Sequence, residues 1–253
     1  MGLLVAAAIT IVLALLAVAV LIARAAPPGD RGVLGLVFVL ALPLQPIALY
    51  LVRLPLDAVV RAALGLGIWW GMVALVYAPF TEEPAKWLVV AVPRVRRSLV
   101  PGNAVPLALA LGAGFGIGET CFLAQALVAS GAYPDLPFWR FYGFMLERLE
   151  VCFLHGVFVA APIVRLAQGK SFWPGAAVGL LLHFLTNFPI FPAQLGAFGL
   201  AGPAWAALLM GWTAGLVLLG AVVLLRVHRR LACAPLGAQD RNRAEGDVVA
   251  STQ

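Results

Sequence analysis

Charged residues are scarce in this chain: Asp, Glu, Lys and Arg make up 11% of its 253 residues, and hydrophobic residues make up 63%. Soluble domains carry about 25% charged residues, so the composition excludes an ordinary soluble globular protein. Cysteine is also rare, and the three thiols are Cys121, Cys152 and Cys233. Because their number is odd and two of them lie in apolar stretches, we expect small buried side chains and no disulfide framework.

Other signatures are missing as well. The chain contains no Gly-x-Gly-x-x-Gly dinucleotide signature, and no repeat of about 20–50 residues is visible that would indicate a solenoid. The net charge of +6 does not require nucleic-acid binding, because the topology of a membrane protein accounts for basic residues near the bilayer. We therefore expect no nucleic-acid partner.

Long apolar stretches dominate instead. A transmembrane helix needs about 20 apolar residues, and the sequence predicts seven, at 3–23, 33–52, 60–91, 104–130, 139–164, 173–195 and 203–225. The predicted fold class is an all-α polytopic membrane protein, a single bundle over residues 1–232. The first stretch is too long for a signal peptide and is expected to stay as an uncleaved helix. Residues 233–253 lack periodicity and are expected to form a disordered cytoplasmic tail.

The distribution of Lys and Arg predicts the orientation of the bundle, because these residues accumulate in cytoplasmic loops. Twelve of the 17 occur in alternate connections and the tail: Arg24, Arg31, Arg94, Arg96, Arg97, Arg165, Lys170, Arg226, Arg229, Arg230, Arg241 and Arg243. The opposite connections contain three, Arg53, Arg61 and Arg140. We predict an N-terminus outside and a C-terminus in the cytoplasm, and expect the membrane to be the plasma (inner) membrane of a prokaryote.

Ionisable residues also occur inside the apolar stretches. Five of the six glutamates and two of the three histidines do so: Glu82, Glu83, Glu119, Glu147, Glu150, His155 and His183. A charged side chain at bilayer depth costs at least ~2.5–3.5 kcal/mol, so such residues usually face a protein interior or a watery cavity and serve function. Lys86 and Arg148 lie in the same stretches and are expected to act as internal counter-ions.

Four of these residues are predicted to share one layer of the bundle. At ~1.5 Å per helical residue, Glu83 and His155 each lie about 15 Å from the basic residues that mark the cytoplasmic ends of their helices. His183 and Glu119 fall at depths that ordinary helix tilt can reconcile with this layer. The helix period also places Asn187 on the same face as His183.

Two local patterns bear on this layer. Pro79 and Pro84 bracket the Glu82–Glu83 pair, which predicts a kink or a short break near 79–84. Glycines at 112, 114, 116 and 118 directly precede Glu119. They either allow neighbouring helices to approach closely or clear space around the Glu119 carboxylate.

The residue types indicate hydrolysis. Adjacent glutamates allow one carboxylate to accept a proton from water while its neighbour orients that water or a metal ion. With a metal, Glu119, His155 and His183 are the candidate zinc ligands, and three protein ligands leave a position open for water. Without a metal, Glu83 would act as general base, and His183 and Asn187 would stabilise the oxyanion.

Four motifs follow one another along the chain: Glu82-Glu83-x-x-Lys86, Phe115-x-x-x-Glu119, His155 and His183-x-x-x-Asn187. Together they resemble the motifs of the PrsW-type intramembrane proteases, which share a superfamily with the CAAX-prenyl proteases. The CAAX-prenyl enzymes have Arg after the glutamate pair and His where Glu119 stands, so this chain is more similar to the PrsW branch. The YhfC-type membrane proteins are a close second. The motif-bearing helices cover residues 82–187.

The resemblance implies an integral membrane endopeptidase that hydrolyses membrane-anchored protein substrates within or next to the lipid bilayer. The site residues that it implies are Glu82, Glu83, Glu119, His155, His183 and Asn187. It leaves open whether zinc or a glutamate activates the water. Glu147 and Glu150 have no place in the motifs, and they form either a local ion-paired cluster or a rim that contacts substrate.

Other functions use similar residues. A proton- or ion-coupled transporter would also keep carboxylates and histidines in broken helices. A haem protein would use His155 and His183 as axial ligands, but the glutamate pair would then have no part. A structural membrane protein, or a catalytically silent homologue, would need none of this chemistry.

Overall fold

The computed structural model describes residues 1–25, 28–65, 67–131 and 135–232. Of these residues 89% are helical and none lies in a β-strand. The predicted all-α class is therefore confirmed for this part of the chain. The predicted tail, 233–253, lies outside the described residues, together with Cys233, Arg241 and Arg243.

The α-helices are named here in chain order. They are α1 (Gly2–Ala25), α2 (Arg31–Ala41), α3 (Leu44–Ala48), α4 (Leu54–Leu64), α5 (Ile68–Ala91), α6 (Pro93–Ser98), α7 (Ala104–Ala129), α8 (Tyr142–Ala167), α9 (Trp173–Asn187), α10 (Ile190–Gln194) and α11 (Gly202–Ala232). A π-helical turn, Leu49–Arg53, joins α3 to α4. Short 3-10 turns occur at Pro28–Asp30, Pro101–Asn103, Phe138–Phe141 and Ala197–Gly199.

Within the described residues, six helical segments are long and apolar enough to cross a membrane: Gly2–Arg24, Arg31–Leu64, Pro101–Ala129, Phe138–Ala167, Trp173–Gln194 and Gly202–Ala232. Large apolar side chains on their outer faces are exposed, with Leu16 at 58% and Leu218 at 69%. A soluble monomer rarely exposes contiguous apolar surface on this scale, whereas lipid contact requires it. The helix α5 has 24 residues but contains three charged side chains, and it is not among these six segments.

The boundary predicted between the second and third spans is wrong. The helical segment that begins at Arg31 continues, through an interruption at 42–43 and the π-helical turn, as far as Leu64. Residues 60–64 therefore belong to this segment, and the next helix begins at Ile68. The charged residues near the end of this segment do not interrupt the helix, because they contact α5. For example, Asp57 accepts a hydrogen bond from the Tyr77 hydroxyl.

The helix α5 is continuous from Ile68 to Ala91, so of the two alternatives predicted near 79–84, a kink or a short break, the break is absent. Each proline removes only its own N–H donor and strains a single turn. Pro79 and both glutamates of the acidic pair are buried in the bundle, where neighbouring helices support the backbone. The Thr81 hydroxyl also donates to the Ala78 carbonyl at 2.8 Å.

The helix α7 lies at the centre of the bundle. In its most apolar stretch 67% of the residues are buried, against 11% for α11. A Cβ atom on Gly112 would stand 1.9 Å from the Gly156 nitrogen of α8, and one on Gly118 would stand 2.2 Å from the Leu42 carbonyl oxygen. The alternate glycines therefore serve close packing of α7 against neighbours on two sides, as one of the two interpretations predicted.

We expect Gly112→Ala and Gly118→Ala each to destabilise the bundle by about 1–3 kcal/mol or more, because the added methyl group meets backbone atoms that cannot yield easily. Thermal unfolding and monodispersity in detergent measure the effect. The matched control is Gly35→Ala in α2, where a Cβ meets nothing within 4 Å. Equal stability of Gly112→Ala and Gly35→Ala would contradict the close approach of α7 and α8.

Candidate active site

Charged and imidazole side chains from four helices meet inside the bundle. We call them the polar cluster: Glu82, Glu83 and Lys86 of α5, Glu119 of α7, Arg148 and His155 of α8, and His183 of α9. Glu83 and Lys86 are 0% exposed, and the two histidines are 2% and 3% exposed. The four residues expected to share a layer, Glu83, Glu119, His155 and His183, are thus brought together.

Glu83 and His183 form the first carboxylate–imidazole pair. Nδ1 of His183 lies 2.7 Å from Oε1 of Glu83. An ionised carboxylate only accepts hydrogen bonds, so we place the imidazole proton on Nδ1. The lone pair of Nε2 is then free, and this atom lies 3.7 Å from Oε2 of Glu82. The face of the His183 ring stacks on Phe158, with ring centroids 4.9 Å apart, which fixes the ring plane.

Glu119 and His155 form the second pair, with the opposite tautomer. Nε2 of His155 lies 2.8 Å from Oε2 of Glu119, while Nδ1 lies 2.8 Å from Nζ of Lys86. A lysine ammonium has donors and no acceptor, so Nδ1 accepts and Nε2 carries the proton. Both nitrogens of this imidazole are therefore engaged, whereas His183 keeps one lone pair free.

Lys86 connects the two pairs. Its ammonium lies 2.5 Å from Oε1 of Glu83 and 2.8 Å from Nδ1 of His155. The Phe115 ring, whose centroid is 4.5 Å from Nζ, covers the ammonium from another side. In this position the Lys86 ammonium faces the Glu83 carboxylate, as its predicted counter-ion role requires. Oε2 of Glu83, in contrast, is buried and finds no hydrogen-bond partner among the described residues.

Arg148 extends the polar cluster along α8. Its Nη1 atom donates to Glu119 at 2.9 Å, and Nε and Nη2 both donate to the Glu147 carboxylate. Glu147 is therefore part of an ion-paired group. Glu150 has a different contact, because its carboxylate accepts a hydrogen bond of 2.6 Å from the hydroxyl of Thr213 in α11.

Arg53 is a member of the site that sequence reasoning missed. It was counted among loop residues, but it ends the π-helical turn before α4, and its Nη1 atom donates to Oε1 of Glu82 at 2.8 Å. No local pattern in the sequence connects the two residues, which are 29 positions apart. A π-helical turn inserts an extra residue and turns the following side chains, and such turns are frequent at functional sites.

A cavity of about 620 Å³ opens beside the polar cluster. Its polar lining includes Arg53, Glu82, Glu119, Arg148, His155, His183 and Asn187. Glu83, which the sequence suggested as general base, is fully buried and contacts the cavity-lining His183 from behind. The cavity extends past Trp70 and Phe191, toward the end of the bundle where α5 begins and α9 ends. Its volume is in the range of pockets that hold organic ligands.

The side chains predicted to bind zinc do not form a metal site as they are arranged. His155 uses both ring nitrogens, on Glu119 and on Lys86, and His183 is directed at the glutamates of α5. The Lys86 ammonium also opposes a second cation beside His155. The described residues contain no group of three or more His, Cys, Asp and Glu side chains placed to hold a metal ion. The donor set therefore does not fit zinc held by Glu119, His155 and His183.

Comparison of the chain with protein-family models, with curated proteins and with solved structures finds no match. The resemblance to the PrsW-type proteases therefore rests on the sequence motifs alone.

Proposed function

We propose that this protein is an intramembrane endopeptidase that hydrolyses peptide bonds of membrane-anchored protein substrates. One observation carries the proposal: the imidazole of His183 is oriented by Glu83, and His183 lines the same cavity as Glu82, with its free Nε2 3.7 Å from Oε2 of Glu82. A carboxylate behind an imidazole and an open position in front of it form the arrangement that activates nucleophiles in hydrolases. The motifs shared with the PrsW-type proteases support the same reaction.

The attacking water is placed between Glu82 and His183. Oε2 and Nε2 are 3.7 Å apart, so one water molecule can form hydrogen bonds of about 2.8 Å to both. As the water oxygen bonds to the carbonyl carbon of the substrate, one water proton passes to Nε2 of His183. The carboxylate of Glu83 then faces an imidazolium and stabilises it.

The tetrahedral intermediate collapses with the same residues. His183 gives its proton to the departing amide nitrogen, the C–N bond breaks, and a carboxyl and an amine are the products. We assign the side-chain amide of Asn187, a residue that lines the cavity one turn after His183, the role of a donor to the oxyanion. With its proton on Nδ1, His183 has no donor for the oxyanion, so we assign it the role of base.

The proposed topology has seven membrane spans, with α5 as the span that carries the glutamate pair. Its charged groups are tolerable at bilayer depth because they face one another inside the bundle. We keep the orientation predicted from the basic residues, with the N-terminus outside and the C-terminus in the cytoplasm of a prokaryotic plasma membrane. In this orientation the cavity opens toward the outer half of the bilayer.

We expect Glu82→Gln and His183→Ala each to lower kcat/KM by about 10²–10⁴, because each removes a group that contacts the attacking water. Glu83→Gln is expected to have a comparable effect, since an amide permits the wrong tautomer of His183. The assay uses purified protein in proteoliposomes, reconstituted with a library of single-span membrane proteins that each carry a fluorescent reporter at one end.

The control for these variants is Glu150→Gln. Glu150 lies in the same bundle but contacts Thr213 of α11, so we expect wild-type cleavage within about threefold, the range of a minor perturbation. All variants are compared at equal monodispersity in detergent. Cleavage that persists in His183→Ala would count decisively against the proposed site, and a wild-type protein that cuts no library member would count against the function.

Removal of divalent metal is expected to leave cleavage unchanged, because two of the three residues that would ligate zinc, Glu119 and His155, are bonded to each other, to Arg148 and to Lys86. Dialysis of the wild-type protein against a strong chelator, followed by the library assay and elemental analysis, provides the measurement. Loss of activity that returns with zinc, and zinc content that disappears in His155→Ala, would overturn the metal-free route.

A proton- or ion-coupled transporter is the second candidate function. The observation that favours it is a series of hydrogen bonds that connects His183, Glu83, Lys86, His155, Glu119, Arg148 and Glu147, with Glu82 3.7 Å from its His183 end. Such a series is a possible proton path. With an imposed proton or ion gradient, a transporter would acidify the proteoliposomes and cut no library member. A protease would cut library members and cause no acidification.

A further inference from the structure

Arg53 owes its position to an irregular stretch of helix. The segment from Arg31 to Leu64 contains a π-helical turn at Leu49–Arg53, in which the Leu54 N–H bonds to the Leu49 carbonyl five residues earlier. One extra residue in a turn rotates the following side chains relative to a regular α-helix. The turn thereby directs Arg53 to α5, where its guanidinium meets the carboxylate of Glu82.

The guanidinium of Arg53 keeps most of its donors free. Arginine has five N–H donors and no acceptor, and the contact to Glu82 is the one hydrogen bond that Arg53 makes with the described residues. The side chain is 30% exposed and lines the cavity. Its remaining donors are therefore available to a carbonyl or oxyanion oxygen that enters the cavity.

The other cations of the site are not available in this way. Arg148 also lines the cavity, but three of its donor groups are bonded to Glu119 and Glu147. Lys86 is 0% exposed and is shared between Glu83 and His155. Peptide hydrolysis develops a full negative charge on the carbonyl oxygen, and a preorganised donor at that oxygen is commonly the largest single contribution to catalysis.

We propose that Arg53 is the cationic group that stabilises the oxyanion as it forms from the substrate carbonyl oxygen, beside the water activated by His183 and Glu82. This assignment rests on the proposed function. The Glu82 carboxylate lies between Arg53 and His183. Its Oε1 atom accepts a hydrogen bond of 2.8 Å from the Arg53 guanidinium, and its Oε2 atom faces Nε2 of His183 at 3.7 Å. The Glu82 carboxylate thus fixes the distance between the attacking water and the Arg53 guanidinium that stabilises the oxyanion.

The test compares wild-type protein with Arg53→Gln and Arg53→Lys in the library assay. We expect Arg53→Gln to lower kcat by about 10²–10³, the usual cost of losing one oxyanion donor, with KM little changed because the interaction forms in the transition state. Arg53→Lys keeps the charge and the pairing with Glu82 but loses the planar fork, so its kcat is expected to lie between the two.

The matched control is Arg61→Gln. Arg61 lies two turns further along, in α4, and is stacked over Trp70 at 4.5 Å, so its loss is expected to leave kcat and KM at wild-type values. If Arg53→Gln is not monodisperse in detergent, Arg53→Lys carries the comparison. A wild-type kcat in a folded Arg53→Gln or Arg53→Lys protein overturns the assignment, whereas absence of cleavage by the wild-type protein overturns the proposed function itself.

A binding measurement separates an oxyanion role from a role in positioning Glu82. The two probes are a peptide phosphinate, whose tetrahedral anion mimics the intermediate, and a matched neutral ketomethylene peptide. If Arg53 contacts the oxyanion, Arg53→Gln weakens phosphinate binding by about 10- to 100-fold, as expected for a hydrogen bond to a charged group, and leaves ketomethylene binding unchanged. Equal changes for both probes, or no change for either, would show that Arg53 only supports Glu82 and would overturn the proposal.

Discussion

The site depends on one buried ammonium group. Lys86 is fully enclosed and bonds at the same time to Glu83 of its own helix and to His155 of α8. Removing one partner of such a buried contact leaves an uncompensated charge, at a cost of about 3–5 kcal/mol. Lys86 therefore holds α5 against α8 and forms the ion pair with the Glu83 carboxylate beside His183. The opposite tautomers of the two histidines follow from this single contact, because the ammonium occupies the acceptor of one ring while the carboxylate takes the proton of the other.

Much of the fold and of the membership of the site was predictable from the sequence. Apolar stretches of helical length predicted α1, α7 and α8 within three residues at each end, because lipid leaves the backbone little choice but a helix. The stretch 173–195 was predicted as one helix but contains α9, which ends at Asn187, and the short helix α10, while α11 continues seven residues beyond the predicted end at 225. Ionisable residues in these stretches are costly, so their positions indicate where helices meet. Glu83, Glu119, His155 and His183 were recognisable as one layer by residue type and depth, and the structure joins them in two pairs that the sequence did not predict.

The sequence could not identify the contacts that join distant segments. Arg53 was read as a loop residue because the hydrophobic pattern weakens there, and no pattern predicts a π-helical turn. The sequence did not indicate which of Glu82 and Glu83 borders the cavity, and Glu83, which was expected to be the general base, is the fully buried one. Neighbours on a helix point about 100° apart, and only the packing of α9 decides that Glu82 borders the cavity while Glu83 lies behind His183. For this reason the proposed mechanism assigns the role of general base to His183.

The charge balance of the linked side chains explains why His183 suits that role. With neutral imidazoles, Glu82, Glu83, Glu119 and Glu147 face three cations, Arg53, Lys86 and Arg148, so the group carries one net negative charge. A proton taken up by His183 brings the net charge to zero, and the imidazolium forms between two carboxylates. His155 has no free lone pair to take that proton, because Lys86 donates to it. In the proposed mechanism this arrangement directs the proton from water to one of two similar imidazoles, and in a low-dielectric interior the preference is stronger than it would be in water.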